Sequence, residues 1–166
     1  TGEIGTWLFG LGFFGMVGTF GAGYLCDRLG ETDRRWYMWL PGIMTLLHVP
    51  FAAFTYLYHD PQIALMVYAI AYILGHGYLA PTFAMTQSLV PLRMRALAAS
   101  ILLFILNIIG LGLGPQFVGI LSDTINLTTD LGVNSLRWAM VSVLIFNIIS
   151  AVLYIMAGRT VVEDMR

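Results

Sequence analysis

Charged residues fall in short islands along this chain, and five long stretches between them contain no Asp, Glu, Lys or Arg: 4–26, 36–59, 61–92, 96–122 and 138–158. The shortest holds 21 residues. A helix needs roughly 20 apolar residues to cross the hydrocarbon core of a bilayer. Lipid offers the backbone no hydrogen-bond partner, so only helices and closed barrels span it, and these runs are far longer than barrel strands of about 10 residues. The pattern predicts an all-α membrane protein with five transmembrane helices, at about 5–26, 37–58, 62–90, 96–121 and 138–158.

Four of the five stretches carry helix breakers. The first repeats glycine at Gly12, Gly15, Gly18 and Gly21. A ridge of bare backbone there predicts a close helix–helix seam, since small residues allow membrane helices to approach. The second holds His48-Val49-Pro50, the third Gly75-His76-Gly77 and Pro81, and the fourth Gly110, Gly112, Gly114 and Pro115. Proline removes a helix hydrogen bond and collides with the carbonyl four residues back. Bends are therefore expected at Pro81 and at Gly114-Pro115, as in transporters whose helices break around a central site. The fifth stretch is plainer and reads as a scaffold helix, with Asn147 its one strongly polar residue.

Composition agrees. Hydrophobic residues make up 58% of the 166 and charged residues 10%, with a mean hydropathy of +0.82; an ordinary soluble domain carries about 25% charged residues. The basic residues are all Arg, and their distribution orients the chain. Seven (28, 34, 35, 93, 95, 159 and 166) fall on one side of the five spans, against Arg137 alone on the other. The positive-inside rule places the seven in the cytoplasm of a cell membrane, with the N-terminus outside and the C-terminus inside. Trp7, Trp36, Trp39 and Trp138 lie near span starts, where indoles anchor at headgroups. Cys26 is the single cysteine, which excludes an internal disulfide framework. Nothing has metal-ligand spacing, and no cofactor or nucleic-acid partner is implied. The chain opens at Thr1 without Met and with a run already of full length, so a fragment is expected.

No charged side chain lies deep in a span, where such residues mark ion pathways; the only buried titratable candidates for coupling are His48 and His76. Tyr68, Tyr72 and His76 follow at i, i+4 and i+8 and share one helix face. Such a stripe either faces a solute or bonds to neighbouring helices. Asn107 shares a face with Gly110 and Gly114 and either lines a cavity or bridges a seam. Gln87 reads as a gate or interface residue. His48, beside a proline, reads as structural. At the end of the first run, Asp27 is placed to latch the start of the fourth helix, through its free N–H groups and dipole and through Arg95. Gly30 supplies a permissive backbone for the turn.

The stretch Gly23-Tyr24-Leu25-Cys26-Asp27-Arg28-Leu29-Gly30, followed by Arg34-Arg35, resembles the signature of the major facilitator superfamily; Glu31-Thr32-Asp33 stands where basic residues often come. In that family the signature lies between helices two and three and recurs between eight and nine, so the resemblance implies helices 8–12 of a twelve-helix fold. The stretches 87–98, 107–115 and 119–123, with Asp33-Arg34-Arg35-Trp36-Tyr37, are similar to the spinster-like branch. The resemblance implies a secondary transporter, not an enzyme, that moves an organic, amphipathic, lysolipid-like solute by alternating access, with or without proton coupling. Gly23, Asp27, Arg28, Gly30, Arg34, Arg35 and Arg95 would form its cytoplasmic gate. It favours Tyr68, Tyr72, His76 and Asn107 as cavity residues over His48, which would sit on an outer helix. The implied partners are the lipid bilayer, the missing N-terminal half and a small organic or lipid-like substrate. Sugar, organic-anion and drug carriers of the same superfamily are the alternatives, with a non-transporting bundle behind them.

Overall fold

The computed structural model describes residues 2–129, 131–132 and 134–164, with side chains from Gly10 to Thr160. The anchoring expected of Trp7 and the charge counted at Arg166 lie outside the described residues. The elements are helices α1 (Gly2–Gly30), α2 (Trp36–Leu57), α3 (Pro61–His76), α4 (Leu79–Ser88), α5 (Arg95–Ile105), a π-helical segment (Leu106–Leu113), α6 (Gly114–Thr129) and α7 (Asn134–Asp164). A 3₁₀ turn, Leu92–Met94, leads into α5. Among the described residues, four helical columns are long and apolar enough to cross a membrane: Trp36–Leu57, Pro61–Ser88, Leu92–Thr129 and Asn134–Thr160. The first predicted span corresponds to α1, whose 29 residues reach about 44 Å at 1.5 Å per residue; it is not among those four.

The helices overrun the predicted spans at several ends. α1 continues to Gly30, so Asp27 and Arg28 sit on its last turn rather than in a loop. The segment 122–137, expected as a loop, is mostly helix: α6 runs to Thr129 and α7 starts at Asn134. Length beyond the charge-free run costs nothing once the helix leaves the hydrocarbon, and Ser122 Oγ, midway along α6, lies 3.1 Å from Ser135 Oγ at the start of α7.

Breakers explain the internal joints. Asp60 caps α3 by accepting a hydrogen bond from the Gln62 N–H at 2.9 Å, with Pro61 as the first helical residue. α3 closes with the Gly77 N–H bonded to the Leu74 carbonyl at 3.2 Å. Pro81 occupies the first turn of α4, where its missing N–H has no intrahelical partner to lose. The break thus falls one turn before the proline. In the fourth column the ladder widens before Pro115, with Gly114 N–H reaching Ile109 O five residues back.

α2 sits at the centre, packed most extensively on α7 and on α3; α1 lies on α3, α5 on α4 and α6 on α7. Ala52, Ala71 and Leu144 join in a small core with Val49, Phe51 and Tyr68 around it. Small residues make these seams. On α1 the buried positions are Gly15, Gly18, Ala22 and Cys26. A Cβ on Gly18 would meet the Ile73 carbonyl oxygen, and one on Gly15 would lie 2.8 Å from the Tyr72 ring. Gly12 and Gly21 face open space. A strict three-residue repeat drifts around a 3.6-residue helix, so only the middle of the predicted ridge meets α3. Trp39 also departs from the anchoring role. Its indole lies against Gly158 of α7 and its Nε1 is buried without a hydrogen-bond partner. The outer surface is apolar, with Phe20, Leu111 and Leu127 each more than 75% exposed; lipid or another apolar partner must cover it.

Candidate functional site

A cavity of about 630 Å³ opens at mid-height of the bundle, between the middles of α2, α3, α7 and the π-helical segment. Three walls are polar. α2 contributes Thr45 and His48, α3 contributes Tyr68, Tyr72 and His76, and α7 contributes Asn147, Ser150 and Tyr154. The fourth wall is apolar, built from Ile105, Leu106 and Ile109 with Gly110. It stands apart because α5 packs on α4 and α6 packs on α7, leaving the π-helical stretch between them without a packed neighbour across the gap.

The tyrosine–histidine stripe is continuous. Ring centroids of Tyr68 and Tyr72 are 5.7 Å apart, and those of Tyr72 and His76 are 4.1 Å apart. His76 Nδ1 lies 2.9 Å from the Tyr72 carbonyl, which fixes the ring against its own helix. His48, expected on an outer helix, faces the same cavity, with its Nδ1 2.8 Å from the Ala71 carbonyl. Gly75 makes room for it: a Cβ there would lie 3.0 Å from His48 Nδ1. Tyr78 and Tyr154 line one end of the cavity. Thr82 joins them, its hydroxyl bonded to the Tyr78 carbonyl and 2.7 Å from the Tyr154 hydroxyl, so α4 is clasped to α7 just past the break.

Asn107 is not part of this lining. It is exposed, and its Nδ2 donates to the Leu103 carbonyl at 2.7 Å. Within the wide π turn its side chain satisfies the local backbone instead of reaching across. Asn147, on the helix read as scaffold, lines the cavity. It could have been noticed as the one amide at the middle of an otherwise apolar span.

The signature residues form a second group at the other end of α1. Tyr37 Oη donates to Asp27 Oδ1 at 2.7 Å. The Tyr37 ring lies where a Cβ on Gly30 would be, so this glycine serves close approach; it is helical, and the only positive φ among the described glycines is at Gly132. Arg28 Nη1 donates to Tyr24 Oη at 3.3 Å, and Arg35 pairs with Asp33 at 4.0 Å while lying 5.9 Å over the Trp39 ring. Gly23 approaches Ala80 of α4. A cavity of about 360 Å³ separates Asp27, Gly30, Glu31, Arg34 and Tyr37 from Ala84, Met85 and Ser88 of α4. The expected contact of Asp27 with Arg95 is not formed among the described residues. α1 packs against α4, and α5 is carried on the far side of it, whereas the short turn after Gly30 delivers Tyr37 directly. No cluster of three or more His, Cys, Asp or Glu residues suited to a metal occurs among the described residues.

No protein-family model matches the chain. A curated relative, an MFS-type efflux pump of Mycolicibacterium smegmatis, is 35% identical over 172 residues, covering 99% of this chain and 39% of that protein. Among solved structures, a bacterial homolog to the human lysosomal transporter Spinster aligns in its inward-facing, unoccupied conformation with a TM-score of 0.80 and 27% identity, over 93% of this chain and 39% of its own. The inward-facing, occupied conformation gives a TM-score of 0.76 at 27% identity, over 93% of this chain and 40% of its own. The chain therefore spans about two fifths of the proteins it matches.

Proposed function

Because the chain belongs to the major facilitator superfamily, as a C-terminal portion resembling its spinster-like branch, we propose that it supplies the C-terminal part of a secondary active transporter for an organic, amphipathic solute. One observation carries this reading: a partly polar cavity of about 630 Å³ at mid-height of a multi-pass helical bundle, bounded on two sides by interrupted helical columns, α3–α4 and the π-helical stretch between α5 and α6. Solute sites near the bilayer midplane, flanked by discontinuous helices, are the arrangement on which alternating access works. The polar walls of α2, α3 and α7 face the apolar π-helical wall, which suits a solute with both kinds of surface. The N-terminal portion of the relatives' length supplies the opposing bundle. The Asp27–Tyr37 end faces the cytoplasm, as the arginine distribution requires, and closes the cavity on that side.

Among the described residues no carboxylate lines the cavity, so the candidates within it for any proton coupling are the two histidines. The curated relative is named an efflux pump, which favours outward movement of the solute.

Sided labelling tests the reading whatever the solute is. Cysteine placed by Ser150→Cys or Gly110→Cys in the full-length protein should react with a membrane-impermeant maleimide from each face of the membrane in turn. Reaction from neither face, or from one face under all conditions, overturns it.

A further inference from the structure

We propose that His48 and His76 act together as a pair of hydrogen-bond acceptors that select solutes by the uncharged donors they carry, a hydroxyl-bearing head on an apolar body. This rests on the reading of the mid-height cavity as the solute site.

Both Nδ1 atoms are already engaged. Each lies within hydrogen-bond distance of a backbone carbonyl, Ala71 O at 2.8 Å for His48 and Tyr72 O at 2.9 Å for His76. A carbonyl oxygen can only accept, so in both rings Nδ1 carries the proton. The neutral imidazole then has a lone pair on Nε2, and neither Nε2 has a hydrogen-bond partner among the described residues. Both rings are held. His76 packs against the Tyr72 ring at a tilt of 37°, with centroids 4.1 Å apart, and His48 is seated over Gly75, where an added Cβ would crowd it. Two acceptors on different helices therefore line one cavity in fixed tautomers.

The rest of the lining decides what they can accept. Facing groups that titrate are the phenols of Tyr68 and Tyr72 on α3, Tyr78 before α4 and Tyr154 on α7; the π-helical wall contributes none. Among the described residues, no Asp, Glu, Lys or Arg is present in the lining. A carboxylate or phosphate head would meet no cation on these walls and an ammonium no carboxylate, and an ion buried without a partner is heavily penalised. A hydroxyl meets two acceptors that no described residue engages, and a site built to hydrogen-bond a hydroxyl discriminates against solutes that lack one. Ile105, Leu106, Ile109 and Phe146 take the apolar remainder.

Binding to the purified full-length protein in detergent, measured with three single-chain probes of equal length, tests this: neutral glyceryl monolaurate, anionic laurate and cationic dodecylamine. Monolaurate should bind about tenfold tighter than either ion. His48→Phe and His76→Phe should each weaken it by about fivefold, the loss of one hydrogen bond, and leave laurate unchanged, while His76→Gln, which keeps an acceptor, recovers part of the affinity. Preference for an ion, equal affinity of the phenylalanine variants, or no binding of any probe overturns the proposal. Where a variant does not fold, the ranking of the three probes on the unsubstituted protein decides. The transport reading is judged separately by the sided labelling at Ser150 and Gly110, so the two can fail independently.

Discussion

The Tyr37 hydroxyl donates to Asp27 Oδ1 at 2.7 Å, tying the last turn of α1 to the first turn of α2. The bond holds the carboxylate against its own hairpin, at the edge of the gap that Asp27 lines with Ala84 and Ser88 of α4. Tyr37→Phe keeps the ring and removes only the donor. In the full-length protein it should change the transport rate severalfold and leave the melting temperature nearly unchanged. If it acts through Asp27, adding it to Asp27→Ala, which removes the acceptor, should produce no further change; additive effects would separate the two residues.

Gly30→Ala should copy Tyr37→Phe. The added methyl falls on the Tyr37 ring edge, which must rotate away and give up its bond to Asp27. Transport rates of the two variants, measured side by side, check this. A normal rate for Gly30→Ala would mean that the ring finds room without losing its partner.

Gly18→Ala should destabilise the bundle by about 1–3 kcal/mol, the usual cost of overpacking, because the methyl meets backbone at Ile73 and not a side chain that can turn. Gly21→Ala, facing open space one turn on, should be neutral or slightly stabilising through helix propensity. Thermal melts of the two in one detergent make the comparison. Equal melting temperatures would show that α1 and α3 are not in close contact.

Pro115→Ala restores a backbone donor and removes the ring that α-geometry cannot accommodate. The Leu106–Leu113 segment should then relax toward α-helix, which rises more per residue than the wider i→i+5 turn. Spin labels at the exposed positions Ile101 and Ile120 should move apart. An unchanged distance would assign the π turns to something other than the proline.

A cysteine replacing Arg34 should react with an impermeant maleimide from the cytoplasmic face alone, and one replacing His59 from the outer face alone. The reverse pattern would invert the assigned topology.

Charge islands alone revealed the helical membrane architecture, because arginine and aspartate are excluded from hydrocarbon while every residue between them is tolerated there. Joints were readable where the breaker acts on its own helix: Gly75, Gly77 and Pro81 predicted an interruption of the third stretch, and it falls one turn before the proline. Helix ends beyond the charge-free runs were not, since nothing local stops α1 before Gly30 or α6 before Thr129. Residues whose placement depends on other helices were the least readable. The stripe Tyr68–Tyr72–His76 could be seen because periodicity groups residues of one helix. That His48 and Asn147 line the same cavity depends on how α2 and α7 are rotated about their axes, and that Asn107 lies outside it depends on the π turn around it. Tyr37 stood next to the signature in sequence, but its bond to Asp27 requires the turn geometry that only the fold provides.

Cys26 is wholly inaccessible where α1 meets α2, and its Sγ lies 3.6 Å from the Trp36 carbonyl. Within this chain the native thiol therefore contributes almost no background to reagents that seek sulfur, and probes can be introduced one at a time without first removing it. Replacing Cys26 with a larger residue would wedge apart the hairpin that carries Asp27 and Tyr37.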